Sequence, residues 1–169
     1  MNIRINRNIL LKPLSDVSGI VEKRHALPIL SNLLLEGEND ILKFTATDLE
    51  VQISLSIKAD IKESFKTTIA ARKLFDITRA LPEESILDIQ IVDSKVVVKA
   101  KKSKFNLQTL PAKDYPIMVK NEGEDITFSV AQNQLKSLLK QVDFSMAQQD
   151  IRYYLNGLLF EVNGKKLNI

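Results

Sequence analysis

The chain has 169 residues, 44% hydrophobic and 27% charged, with a formal net charge of +3 and no cysteine. That is the balance of an ordinary soluble globular chain, and it rules out disulfides, thiolate metal sites and cysteine nucleophiles together. A single histidine, His25, leaves no histidine metal cluster and no supported Ser-His-Asp triad, and the five glycines form no phosphate-cradling or dinucleotide-binding loop.

In chain order, Ile3 and Ile5 predict a short strand. Leu10, Leu14 and Val17 recur at i, i+4 and i+7 and predict a helix, which Pro13 should bend or weaken. After the loop Glu22–His25, the apolar run Ile29–Leu35 predicts a strand that turns back through Gly37–Asp40. Strand, helix and three strands thus occupy roughly 2–57. The order then recurs: strand 65–69, a helix over 71–81 with Leu74, Ile77 and Leu81 on one face and Pro82 as its stop, then strands near 86–91, 95–100 and 104–109. Two β-α-β-β-β units imply an α+β fold, with two helices side by side on antiparallel sheets. Ala112–Asp125, with Pro116, Gly123 and several charges, reads as a linker.

Beyond it the pattern of the first residues returns at a constant offset of 125. Leu10, Leu14 and Val17 fall on Leu135, Leu139 and Val142; Leu30, Leu33, Leu34 and Glu36 fall on Leu155, Leu158, Leu159 and Glu161; Leu42 falls on Leu167. The second copy therefore predicts a strand at Phe128 and Val130, a helix, a strand over Tyr154–Phe160 and a turn at Asn163–Lys166. The alternative is coincidence between two β-α-β-β segments. No apolar run approaches the roughly 18 residues of a membrane span, and the start lacks a signal-peptide stretch, so the expectation is a cytoplasmic protein with no membrane partner. The basic excess is modest: 19 basic and 15 acidic residues in 1–120, five and six in the rest. A tight static nucleic-acid binder concentrates its positive charge more.

Seven words occur in order: Lys12-Pro13-Leu14, Leu27-Pro28-Ile29-Leu30, Thr47-Asp48-Leu49-Glu50, Ala71-Arg72-Lys73, Thr109-Leu110-Pro111-Ala112, Phe144-Ser145-Met146-Ala147 and Arg152-Tyr153-Tyr154-Leu155-Asn156-Gly157. Together they resemble the bacterial DNA polymerase III β subunits, the β sliding clamps, over essentially the whole chain. The resemblance implies a DNA-clamp fold with three similar domains per chain and two chains in a head-to-tail ring, which accounts for the repeat. On that reading 1–122 is a complete first clamp domain, 123–169 the start of a truncated second, and the third is absent. It implies a non-catalytic processivity factor without cofactor. Its partners would be duplex and primed DNA, the polymerase III catalytic subunit, the clamp loader and other proteins with clamp-binding motifs. The runner-up is a non-ring nucleic-acid-binding or adaptor domain, with a nuclease or polymerase far behind.

Read from the residues alone, Arg24 is a solvated loop arginine, Tyr153 and Tyr154 are packing residues at a strand start, and Leu155 is a core residue like Leu30. The resemblance implies instead that Arg24, Gln149, Tyr153 and Tyr154 face DNA, and that Arg152 and Leu155 edge a pocket for partner peptides. Phosphate contacts and base stacking both tolerate any sequence, as a sliding protein requires. Lys95, Lys99, Lys101, Lys102 and Lys104 read as the charged edge of a sheet protected from aggregation. By resemblance Lys95, Lys102, Lys104, Phe105 and Leu107, with Lys73, Ile77 and Leu81, meet the third domain of a second chain. Asp48, Glu50, Asp76 and Asp88 lack the tight spacing of a metal-dependent active site, so no catalytic or metal residue is expected.

Overall fold

The computed structural model describes residues 2–21, 27–118 and 127–169. The chain divides into two compact units, 1–120 and 121–169.

The first unit begins with strand β1 (Asn2–Asn6) and helix α1 (Arg7–Ser18). Asn6 starts the helix by accepting a hydrogen bond from the Asn8 backbone on its side chain, at 2.8 Å. Leu10, Pro13, Leu14 and Val17 form the buried stripe of α1. The helix runs on through Pro13, whose ring is buried; the carbonyl one turn back loses its donor, and the buried ring offsets part of that cost.

A 3-10 turn, Pro28–Ser31, leads into β2 (Asn32–Glu38), followed by β3 (Ile41–Thr47), β4 (Gln52–Lys58) and the two-residue β5 (Asp60–Ile61). The expected strand over Ile29–Leu35 therefore starts three residues late. Pro28 has no N–H to give a ladder and takes the first position of the turn instead. The reversal between β2 and β3 is made by Asn39 and Asp40, both at positive φ, while Gly37 lies within β2. Gly37 sits opposite Phe65, and a β-carbon there would fall 2.0 Å from the ring. The glycine makes room for the aromatic.

Next come β6 (Phe65–Ala70), α2 (Ala71–Ala80), β7 (Ile86–Val92), β8 (Lys95–Ala100) and β9 (Ser103–Gln108). The sheets are antiparallel, in the orders β5-β1-β7-β8-β9 and β4-β3-β2-β6. The first strand of each half thus pairs in the other half's sheet: β1 with β7, β6 with β2. Neither half can complete its sheet alone. Arg7 ties the two helices together, its Nε donating to the Thr78 carbonyl and its Nη2 to the Arg79 carbonyl, each at 3.0 Å. It caps the C-terminal end of α2 with a positive charge. The core lies between helices and sheets and is built from Ile3, Ile5, Leu10, Leu14, Leu35, Phe44, Ile69, Leu74, Leu87, Val96 and Val98 among others.

The segment expected to be a linker begins as a strap. Leu110 exchanges two hydrogen bonds with the Thr68 hydroxyl, Tyr115 is only 4% exposed and donates to the Asn32 carbonyl, and the Met118 N–H donates to Gln52. Residues 109–118 thus bind β6, β2 and β4. Burial favours the neutral phenol and holds the Tyr115 pKa above its usual value, against a backbone hydrogen bond at Thr47 that lowers it.

In the second unit, α3 (Gln132–Val142) is α1 moved by 125 residues. The 3-10 turn Tyr153–Asn156 is likewise Pro28–Ser31 moved by 125. The hairpin β10 (Glu161–Asn163) and β11 (Lys166–Asn168) falls on β2 and β3. The helix, the 3-10 turn and the hairpin of the repeat are thus matched at one offset. Two expectations fail. Tyr154–Phe160 is a turn and a loop rather than a strand, Tyr153–Asn156 repeating the 3-10 turn of Pro28–Ser31 without its proline. Phe128 and Val130 lie in no strand: β1 is held by β5 and β7, and the described residues of this unit offer no such neighbours. Among the described residues no helix is long and apolar enough to cross a membrane.

Candidate nucleic-acid and partner interface

The loop from Ala147 to Asn156 gathers most of the residues singled out in the second copy. It is closed by Ala147 N–H donating to the Leu155 carbonyl and Leu155 N–H donating to the Arg152 carbonyl, each at 2.9 Å. Asn156 grips Asp150 from both sides: its Oδ1 accepts from the Asp150 N–H at 3.0 Å, and its amide donates to the Asp150 carbonyl at 3.1 Å. The Asp150 carboxylate accepts from the Arg152 backbone at 2.8 Å, from its Nε at 3.1 Å and from its Nη2 at 3.0 Å. This fork-to-fork geometry is the strong form of the pair. The Arg152 hydrogen bonds hold the Asp150 carboxyl below its usual range, and the carboxylate raises the guanidinium in return.

Above this base Tyr153 is 83% exposed and Tyr154 67% exposed, their rings edge to face with centroids 6.0 Å apart. Gln149 is exposed at positive φ, and Leu155 is half-buried. The first unit is an internal reference for these positions. Leu30, the counterpart of Leu155, is buried; Pro28, the counterpart of Tyr153, is exposed; Ile29, the counterpart of Tyr154, is half-buried. The repeated scaffold therefore turns the 153 position outward in both copies, which disfavours a packing role for Tyr153. Arg24, whose counterpart is Gln149, lies outside the described residues.

The second group lies on the first unit. Lys95 and Lys104 project from one face of their sheet, Lys104 directly across from Lys99, and Lys102 stands in the β8–β9 turn. None of the three forms an ion pair among the described residues. Lys73 is exposed on α2, while Ile77, Leu81 and Phe105 are half-buried against the core. Leu107 faces inward. It is 7% exposed, belongs to the domain's own core and pairs with Val96, because the alternation of β9 points it inward. Phe105, two residues earlier on the same face of β9, is only partly buried against that core. Among the described residues β9 is an edge strand, its outer side unpaired in the sheet.

Three of the four carboxylates, Asp48, Asp76 and Asp88, have partners within the first unit. Asp48 accepts from the Glu50 and Val51 backbones, and Thr47 braces the same turn, with Leu49 at positive φ. The Thr47–Glu50 word is thus a turn motif. Asp76 pairs with Arg79, and Asp88 lies 3.9 Å from Arg4. Among the described residues no three His, Asp or Glu are grouped to hold a metal. Sequence reasoning passed over Asp150 and Asn156. Their signal was the Asx chemistry of a short polar run around a turn, visible only once the turn is known.

A duplicated two-sheet, two-helix domain followed by elements of a second copy at fixed offset defines the class: a DNA-clamp fold. The known proteins agree. Residues 1–119 match the DNA polymerase III beta subunit N-terminal domain and residues 129–169 its central domain, so the chain belongs to the DNA polymerase III beta subunit family. It is 47% identical to the beta sliding clamp of Pseudomonas aeruginosa and 42% identical to that of Escherichia coli, each over 168 residues. These alignments cover 99% of the chain and 46% of each relative, so the chain spans about half their length. The crystal structure of the Pseudomonas aeruginosa subunit superposes with a TM-score of 0.92, covering 99% of this chain and 45% of that one. A Caulobacter crescentus beta subunit at 39% identity gives 0.90, covering 97% and 44%. Another structure of the Pseudomonas aeruginosa clamp, with a TM-score of 0.91, at 47% identity and covering 99% and 45%, is bound to griselimycin.

Proposed function

We propose that this chain serves a sliding clamp of DNA polymerase III, a cytoplasmic, non-catalytic ring that encircles duplex DNA and tethers polymerases to it. The carrying observation is the repetition of α1, the 3-10 turn and the hairpin at one offset, in a chain whose two parts match consecutive domains of the family. A head-to-tail ring of two chains holds by topology, so its grip on any one phosphate can stay weak. Such a ring does not need the strong, salt-sensitive phosphate neutralisation that holds a static nucleic-acid binder in place. The modest charge of +3 accords with that.

Within the ring, Arg24, Gln149, Tyr153 and Tyr154 face duplex and primed DNA, the tyrosines stacking on a single-stranded overhang. Arg152 and Leu155 edge the pocket for the clamp-binding peptides of the polymerase III catalytic subunit, the clamp loader and other partners. Griselimycin binding by the Pseudomonas aeruginosa clamp supports looking for a small-molecule site on this protein too. The β9 edge, with Lys95, Lys102, Lys104 and Phe105, and the α2 residues Lys73, Ile77 and Leu81, meet the third domain of the second chain. The unpaired lysines supply the charge and the half-buried apolar side chains the contact.

The test loads the complete protein onto nicked circular DNA with a clamp loader and ATP. Retention on circles and release after a single linearising cut is the expected result. Equal binding to circular and linear DNA would establish a simple binder instead, and Mg²⁺-dependent alteration of the DNA an enzyme.

A further inference from the structure

The loop Ala147–Asn156 carries chemistry that its counterpart in the first unit lacks. Both copies close the same backbone turn, Leu30 N–H to the Leu27 carbonyl at 3.1 Å and Leu155 N–H to the Arg152 carbonyl at 2.9 Å. In the first copy the leading position is Pro28, whose ring fixes φ in advance. The same position in the second copy is Tyr153, which has no such restraint. Side chains stand in for it: Asn156 bonds both the N–H and the carbonyl of Asp150, and the Asp150 carboxylate binds Arg152 three times. The first copy has His25, Leu27 and Ser31 at the places of Asp150, Arg152 and Asn156. Leu27 offers no polar group, so the carboxylate–guanidinium pair cannot recur there. The first copy thus forms the turn with Pro28 where the second has this latch.

We infer that Asp150 and Asn156 are positioning residues that hold Gln149, Arg152 and the Tyr153–Tyr154 pair in one fixed presentation, so that overhang contact and peptide capture depend on the same latch. This rests on the proposed roles of those four residues. An exposed aromatic pair on a loose loop would give back in ordering much of what stacking gains. Gln149, in the left-handed region, would relax without the Asp150–Asn156 bond beside it. Arg152 would swing freely if its carboxylate fork were removed, and an arginine recognises a peptide best as a fixed planar donor.

The experiment uses the complete protein with Asn156→Ala, Asp150→Ala and Asp150→Asn, and the double variant Tyr153→Ala/Tyr154→Ala as control. The probes are a primed DNA with a single-stranded overhang, a blunt duplex, and a synthetic polymerase clamp-binding peptide, each read by fluorescence anisotropy. Asn156→Ala and Asp150→Ala should weaken overhang DNA and peptide together by roughly five- to tenfold, with blunt duplex nearly unchanged. Asp150→Asn keeps an acceptor for the Arg152 N–H and should lose less than Asp150→Ala. The tyrosine control should lose overhang binding and keep the peptide. The latch is overturned if both alanine variants bind both probes as the wild type does while the tyrosine control loses the overhang. It is also overturned if the losses follow a fall in melting temperature across all three latch variants, a purely structural result. If the tyrosine control itself binds the overhang normally, the DNA-facing reading fails first and the latch with it.

Discussion

Replacing Tyr115 separates a packed strap from a free linker. Its side chain is 4% exposed and its hydroxyl donates to the Asn32 carbonyl at 3.2 Å. Tyr115→Phe keeps the ring and removes one modest hydrogen bond, a cost of about 1 kcal/mol. Tyr115→Ala removes the ring from a site with little freedom to collapse, a cost of about 3–5 kcal/mol. A unit of 120 residues has an unfolding entropy near 250 cal/mol/K at about 2.1 cal/mol/K per residue. The alanine variant should then melt about 12–20 °C low, and the phenylalanine variant about 4 °C low. Circular dichroism melts of the three proteins supply the measurement. An alanine variant melting within about 2 °C of the wild type would refute the strap, because that is the behaviour of a linker. The same residue predicts an alkaline signature. Its folded pKa is raised, so its stabilising contribution is whole below the unfolded value of about 10 and is lost as the pH climbs through the folded value. Tyr115→Phe should flatten the loss of stability above about pH 10; an unchanged alkaline limb counts against burial of the phenol.

Gly37→Ala should destabilise by about 1–3 kcal/mol, since the new β-carbon meets the Phe65 ring at 2.0 Å; Gly37→Ala with Phe65→Leu should recover part of that, and urea melts that show no recovery would place the strain elsewhere. On α2, Leu74→Ala should cost about 2–5 kcal/mol from a fully buried position while exposed Lys73→Ala stays within about 0.5 kcal/mol. In the complete protein Lys73→Ala should instead weaken subunit association, and an unchanged sedimentation profile would remove Lys73 from that contact. Arg24→Ala in the complete protein should lower the salt slope of DNA binding by about one unit, and parallel salt titrations of variant and wild type would exclude a phosphate contact. Amide exchange on the 169-residue chain should show strong protection in β2, β3 and β8 and weak protection in α3 and the β10–β11 hairpin, whose described side chains include none that is fully buried. Equal protection would contradict that difference.

The candidate site was only partly legible in the sequence. The family resemblance singled out the aromatic pair and the arginine, whereas from the residues alone the tyrosines read as packing residues at a strand start. Which of them faces outward could not be read from composition, because an apolar run such as Tyr154–Phe160 serves strand, turn and core alike. Asp150 lay in no motif, and Asn156 lay in one without a role of its own. Their meaning comes from the chain folding back over six residues until one side-chain amide meets both backbone polar groups of Asp150.

The sequence by itself determined the two helices and most strands of the first unit, since spacing of apolar residues records which face of a local element seeks burial. It also determined the repeat, because equivalent elements need equivalent apolar positions. The tertiary structure alone decided that β1 joins the sheet of β7–β9 while β6 joins that of β2–β4. Alternation in Ile3 and Ile5 says which side of the strand is buried, but any strand offering a matching row of N–H and C=O groups could accept it. It also decided that Tyr115 is an anchor and that Leu107 belongs to the core. Both outcomes follow from what distant residues leave uncovered, and a one-dimensional pattern holds no record of that.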